Sequence, residues 1–83
     1  MMHDWYRARS QESLGHALAE IRKSAEVSQS EAAELTQSSR ATISRMERGL
    51  PASSQTVMDL LEHAGYEVLL VPRGARVQVE ERR

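Results

Sequence analysis

Residues 28–48 constrain this chain more than any other stretch, because two short helical segments are separated there by only three polar residues. Ser28, with Glu31 three positions later, forms a capping box that opens the first segment, which holds Ala32, Ala33 and Leu35. Thr36-Gln37-Ser38 interrupts it, since such side chains compete for backbone hydrogen bonds and favour turns. Ser39 then caps a second segment with Ile43 and Met46 on its inward side and Arg40, Ala41, Ser44 and Arg45 opposite. Helices linked so tightly cross, with the small Ala33 at the crossing and Ile43 behind the turn.

The flanking sequence supplies the rest of a helical domain. Leu14, Ala17, Leu18, Ile21 and Ala25 step by three, four and seven as one face of an amphipathic helix, capped by Ser10 or Ser13 and ending near Glu26. Gly49, with Pro51 just beyond, stops the segment that Ser39 opens. Ser53 or Ser54 caps a fourth helix whose buried row is Val57, Leu60, Leu61 and Ala64, with Met58 as further core filler, and Gly65 closes it. Beyond Gly65 the character changes. Tyr66-Glu67-Val68-Leu69-Leu70-Val71 reads as a strand ended by Pro72, and Val77 and Val79 alternate with polar neighbours as a weaker second strand.

Eighty-three residues hold one small domain of thin stability, for which a partner subunit is expected. With no cysteine, and with His3, His16 and His63 at no mutual ligand spacing, thiol redox chemistry, zinc fingers, bound metals and cofactors are not expected. No apolar run approaches a membrane span and no signal peptide is visible, so a cytoplasmic, nucleoid-associated protein is expected. No pairing of nucleophile and base and no phosphate-cradling glycine loop can be assembled, which excludes an enzymatic reading. The formal net charge of −1 argues against a nucleic-acid ligand only until its distribution is examined. Residues 39–50 carry +2 between segments of −3 on either side.

The run Ser28-Gln29-Ser30-Glu31-Ala32-Ala33-Glu34-Leu35, followed by Ser39-Arg40-Ala41-Thr42-Ile43-Ser44-Arg45-Met46-Glu47-Arg48-Gly49, closely resembles the helix-turn-helix of the lambda-type phage repressors, or XRE family, over residues 13–65. It departs from that pattern at Gln37, where the turn usually has Gly, at Ser38, usually Val or Ile, and at Ala32, usually Leu. The resemblance implies that the helix opened by Ser39 lies in the major groove of double-stranded DNA. It also implies that Gln29 meets the DNA backbone or an adjacent base, aided by the free N–H groups of its helix terminus. Arg40 has the chemistry to donate two hydrogen bonds to guanine, while Ser39, Ala41, Thr42 and Ser44 permit close approach or short polar contacts. Arg45 reaches a base or a phosphate, and Arg48 a phosphate. Outside such a motif, Arg40 and Arg45 would be read as solvated helix residues. Arg22 and Glu47 are assigned by the resemblance to a structural salt bridge rather than to the ligand.

Residues 65–72 resemble the C-terminal strand of HipB-type antitoxins, which implies a homodimer paired through Tyr66, Val68, Leu69, Leu70 and Val71. A lone strand cannot satisfy its own backbone groups, so intermolecular pairing is also expected physically. The expected architecture is mainly α, a lambda-repressor-like domain of four to five helices with a C-terminal β-strand. It divides into an arm (1–12), the helix-turn-helix domain (13–65), a dimerisation segment (66–80) and a charged tail (81–83). Trp5 and Tyr6 in the arm pack on their own domain or dock on another protein. The expected function is an autoregulating repressor that binds an inverted-repeat operator and a HipA-type kinase toxin. A stand-alone phage-like or metabolic regulator is the alternative, and a protein-interaction module using the same scaffold is a second.

Overall fold

The computed structural model describes residues 5–80; the expected tail (81–83) and the first residues of the arm lie outside them. Four helices form in chain order, α1 (Gln11–Ser24), α2 (Gln29–Leu35), α3 (Arg40–Glu47) and α4 (Ser54–Ala64). Each begins at a serine whose hydroxyl accepts a backbone N–H three residues on: Ser10, Ser28, Ser39 and Ser53. At Ser10 and Ser28 the bond is returned, by Ser13 and Glu31, which makes both ends full capping boxes.

All four helices end alike. Paired bonds run from Val27 to Arg22 and Glu26 to Lys23, from Ser38 to Ala33 and Gln37 to Glu34, from Leu50 to Arg45 and Gly49 to Met46, and from Tyr66 to Leu61 and Gly65 to Glu62, each from N–H to carbonyl. This is the Schellman closure, which needs a left-handed residue just past the helix. Gly49 and Gly65 fill that position twice, at φ 85° and 82°, and Glu26 and Gln37 fill it at φ 59° and 53°.

The core gathers one stripe from each helix: Leu18 and Ile21 of α1, Ala32 and Ala33 of α2, Ile43 and Met46 of α3, and Leu60 and Leu61 of α4. Ile43 is fully buried, so α3 is anchored along one side only. Leu35 and Met58 are exposed. Met58 therefore does not fill the core as expected, because Leu60 and Leu61 already occupy the inward side of α4.

The expected C-terminal strand does not form among the described residues. Residues 66–71 have no regular secondary structure, and the residues around Val77 and Val79 add no second strand. The chain turns at Pro72–Ala75, where the Ala75 N–H donates to the Pro72 carbonyl at 3.1 Å, but a single copy offers no ladder for either side of the turn. Tyr6, half-buried, packs on the core and lies 6.3 Å, ring to ring, from Tyr66. The arm thus rests on its own domain at Tyr6, while Trp5 stays half exposed with Arg7 over its ring at 5.9 Å.

Candidate nucleic-acid interface

The outward side of α3 is built by what its inward side does. Ile43 and Met46 enter the core, and helical periodicity then turns Arg40, Ala41, Ser44 and Arg45 to solvent. With Arg48, just past the helix, these four line a shallow concavity of about 300 Å³. Arg40, Ala41, Arg45 and Arg48 are exposed, and Ser44 is half-buried. Arg48 is folded back, its Nε donating to the Ser44 carbonyl at 3.4 Å. Ser39 accepts the Thr42 N–H at 3.1 Å and its hydroxyl lies 2.9 Å from that of Thr42, so both polar tips are committed to the helix start. Ser39 and Thr42 therefore stand at the edge of the surface as a cap, leaving Arg40 as the first long donor of α3.

The charge of this surface differs from the sum over its sequence. Glu47, the only acid of α3, points inward, where its carboxylate receives Nε and Nη2 of Arg22, the latter at 3.1 Å. The Glu47 carboxylate raises the Arg22 pKa above its ordinary value, against the desolvation that would lower it. Arg22 also donates from Nη1 to the Val27 carbonyl at 2.8 Å. With Glu47 neutralised internally, Arg40, Arg45 and Arg48 face solvent without an acidic residue of their own helix beside them. The salt bridge implied for Arg22 and Glu47 thus joins α1 to α3 and unmasks the cationic side.

Gln29 is placed differently from a free donor. It is the first residue of α2 and half-buried, and its Nε2 donates to Glu47 Oε1 at 3.0 Å. One amide hydrogen is thereby spent within the domain, and α2 joins the Arg22–Glu47 clamp. The sequence carried no signal for this bond, because Gln29 and Glu47 meet only after α2 and α3 cross. Gly15 was missed as well. A Cβ there would lie 2.7 Å from the Met46 carbonyl oxygen and 2.8 Å from that of Glu47, so α1 touches the backbone at the end of α3. A glycine inside an amphipathic helical stripe was the available signal.

Among the described residues no group of acids and histidines could hold a metal ion, and no helix is long and apolar enough to cross a membrane. The residues expected to pair across a dimer are separate from the α3 surface: Val68, Leu69, Leu70 and Val71 are exposed and Tyr66 is half-buried.

Residues 13–71 match the family model described as a helix-turn-helix domain. Among solved structures, the clp gene regulator ClgR from Corynebacterium glutamicum is 32% identical, with a TM-score of 0.63 over 68% of this chain and 61% of that one. This chain therefore spans about three-fifths of that regulator's length. HipB in a complex described as HipB-O4 20mer is 23% identical, with a TM-score of 0.72 over 83% of this chain and 99% of that one. HipB in the HipA-HipB-O2-O3 complex is also 23% identical, with a TM-score of 0.71 over 83% and 99%. At that identity the HipB likeness is one of fold. A search of curated proteins finds no match.

Proposed function

The chain belongs to the helix-turn-helix domain family of DNA-binding transcription regulators, which are typically non-enzymatic, and from that premise we propose that it is a dimeric repressor that reads an inverted-repeat operator through α3. The observation that carries this reading is the outward strip of Arg40, Ala41, Ser44 and Arg45 on a helix whose other side is locked by Ile43 and Met46. A helix held rigidly on one side and unobstructed on the other fits the roughly 12 Å wide major groove of B-form DNA. In a two-fold dimer the two α3 helices enter successive grooves about 34 Å apart. Arg40 and Arg45 read base edges, Arg48 anchors phosphate, and Ser39, Ala41, Thr42 and Ser44 allow the backbone to come close. Gln29, with its remaining amide hydrogen and the helix terminus behind it, contacts the DNA backbone.

In its finer form the protein is the HipB-like antitoxin of an operon that it represses, partnered by a HipA-type kinase toxin. The support is the match over nearly the whole HipB chain. The stand-alone regulator remains a second reading, favoured by the higher identity to the clp gene regulator. Co-expression with a HipA-type kinase separates them: a stable complex supports the antitoxin, and none supports the regulator.

Selection of bound duplexes from random DNA tests the shared core of both readings. The native chain is expected to enrich a palindrome and to lose affinity steeply with salt. Arg40→Ala is expected to relax the preference at one base pair per half-site, at a cost of roughly 1–3 kcal/mol for the preferred base. An unchanged consensus would remove Arg40 from readout, and salt-insensitive or absent binding would favour an interaction module.

A further inference from the structure

An apolar surface lies away from α3, in a groove of about 740 Å³ between the arm and the C-terminal segment. Leu70 is 90% exposed and Leu69 69%, with Glu67 and Arg73 at the two ends of the same stretch and both lining the groove. We propose that its occupant is a second copy of this chain, and that residues 67–73 of the two copies pair antiparallel in a register centred on Leu70, with Glu67 of each facing Arg73 of the other. The inference rests on the dimer proposed above and specifies how it is held.

Three features of the sequence select this register. Antiparallel pairing about a two-fold axis at Leu70 sets Leu70 against Leu70, Leu69 against Val71 and Val68 against Pro72, so that every apolar residue meets another. It places two opposite-charge pairs, Glu67 with Arg73 and its symmetry mate, at the ladder's ends. Long side chains can meet there although the backbone turns at 72–75. Centring on Leu69 instead would oppose Glu67 to Val71 and leave Arg73 only a diagonal neighbour of the acid, opposite Gly65 rather than the carboxylate.

The third feature is Pro72, which has no N–H to give a ladder. Directly opposed residues alternate between hydrogen-bonded and non-hydrogen-bonded pairs. If Leu70 with Leu70 is a non-hydrogen-bonded pair, so is Val68 with Pro72, two positions on, and the proline nitrogen faces away from the partner at no cost. The backbone groups of Leu69 and Val71, left without a ladder in the single chain, then supply the inter-strand bonds.

The chain contains no cysteine, so the register can be read by cross-linking. In a non-hydrogen-bonded pair the two Leu70 Cα atoms are about 4.5 Å apart, within disulfide reach. The two Leu69 positions are diagonal neighbours, roughly 7–8 Å apart and beyond it. Leu70→Cys is expected to cross-link almost fully under mild oxidation, and Leu69→Cys to remain mostly uncross-linked. Glu67→Arg and Arg73→Glu each turn two attractive pairs into repulsive ones and are expected to weaken dimerisation about tenfold. Mixed in equal amounts, those two variants are expected to recover native affinity as a heterodimer, because one pair is then native and the other is restored with reversed sign. Helical circular dichroism verifies that each variant is folded. Cross-linking of Leu69→Cys equal to or above that of Leu70→Cys, or a mixture that stays as weak as its components, overturns the register while leaving a dimer in place. A native chain that sediments as a monomer overturns the register and the dimer together.

Discussion

Gln37 shows how a single residue sets the geometry of the turn. The α2–α3 link closes only with a left-handed residue at this point, and Gln37 adopts φ 53° to provide it. A side chain in that region costs roughly 1–2 kcal/mol, part of which glycine would return as chain entropy in the unfolded state. Gln37→Gly is therefore expected to stabilise the domain by about 1 kcal/mol, measured as a raised urea midpoint at unchanged slope. Glu31 acts at the other end of α2. It accepts the Ser28 N–H at 2.9 Å, and that bond holds its carboxyl below the usual range. Because the folded value is the lower one, the stabilisation is complete above the unfolded carboxylate value of about 4.3 and is lost as pH falls through the folded value. Glu31→Gln keeps an acceptor for Ser28 but cannot titrate. Melting curves across that acid range are expected to lose part of their pH dependence in this variant.

Between elements, the arrangement of α1, α2 and α3 is held by one carboxylate. Glu47 receives Arg22 from α1 and Gln29 from α2 while standing at the end of α3. The side chains of Arg22 and Glu47 are 10% and 8% exposed, so removing either partner leaves a poorly solvated charge. Glu47→Ala is expected to cost about 3–5 kcal/mol in chemical unfolding, whereas replacing both partners with apolar residues of similar volume should cost far less. A small loss in the single variant would mean that the clamp is dispensable. The contact of Gly15 with the carbonyls of Met46 and Glu47 makes the same junction close-packed. Any motion of α3 relative to α1 must break both features, which suits a helix that has to present its side chains in fixed positions.

Over the whole molecule, the four helices form a core without help from the C-terminal segment, whereas that segment finds no ladder within the chain. Tyr66 belongs to the helical body through its packing on the core and against Tyr6. Ending the chain after Glu67 is therefore expected to leave the helical circular dichroism unchanged and the solution mass monomeric. A dimer that survives this truncation would place the interface elsewhere. DNA affinity should fall with dimerisation, since each α3 would then bind its half-site alone.

How far the sequence reached depended on the range of the interaction concerned. Ser28, Ser39, Gly49 and Gly65 act within a few residues of themselves, and for this reason the helix ends, the turn and the inward placement of Ile43 and Met46 were legible from spacing alone. Ala41, Ser44, Arg40 and Arg45 followed by periodicity. Glu26 in a left-handed position, the bond from Gln29 to Glu47 and the fit of Gly15 against α3 were not legible, because each depends on which segments lie across from one another. The exposure of Met58 and the missing strand have the same origin: an apolar pattern states that a surface must be covered, and only the packed chain decides what covers it. The sequence by itself determined four capped helices and a polar, cationic side on the third. The tertiary structure decided that Gln29 joins the Arg22–Glu47 bridge that the resemblance implied, and that the arginines of the outward side are left uncompensated, because the long-range meeting of all three residues exists only once three helices have packed.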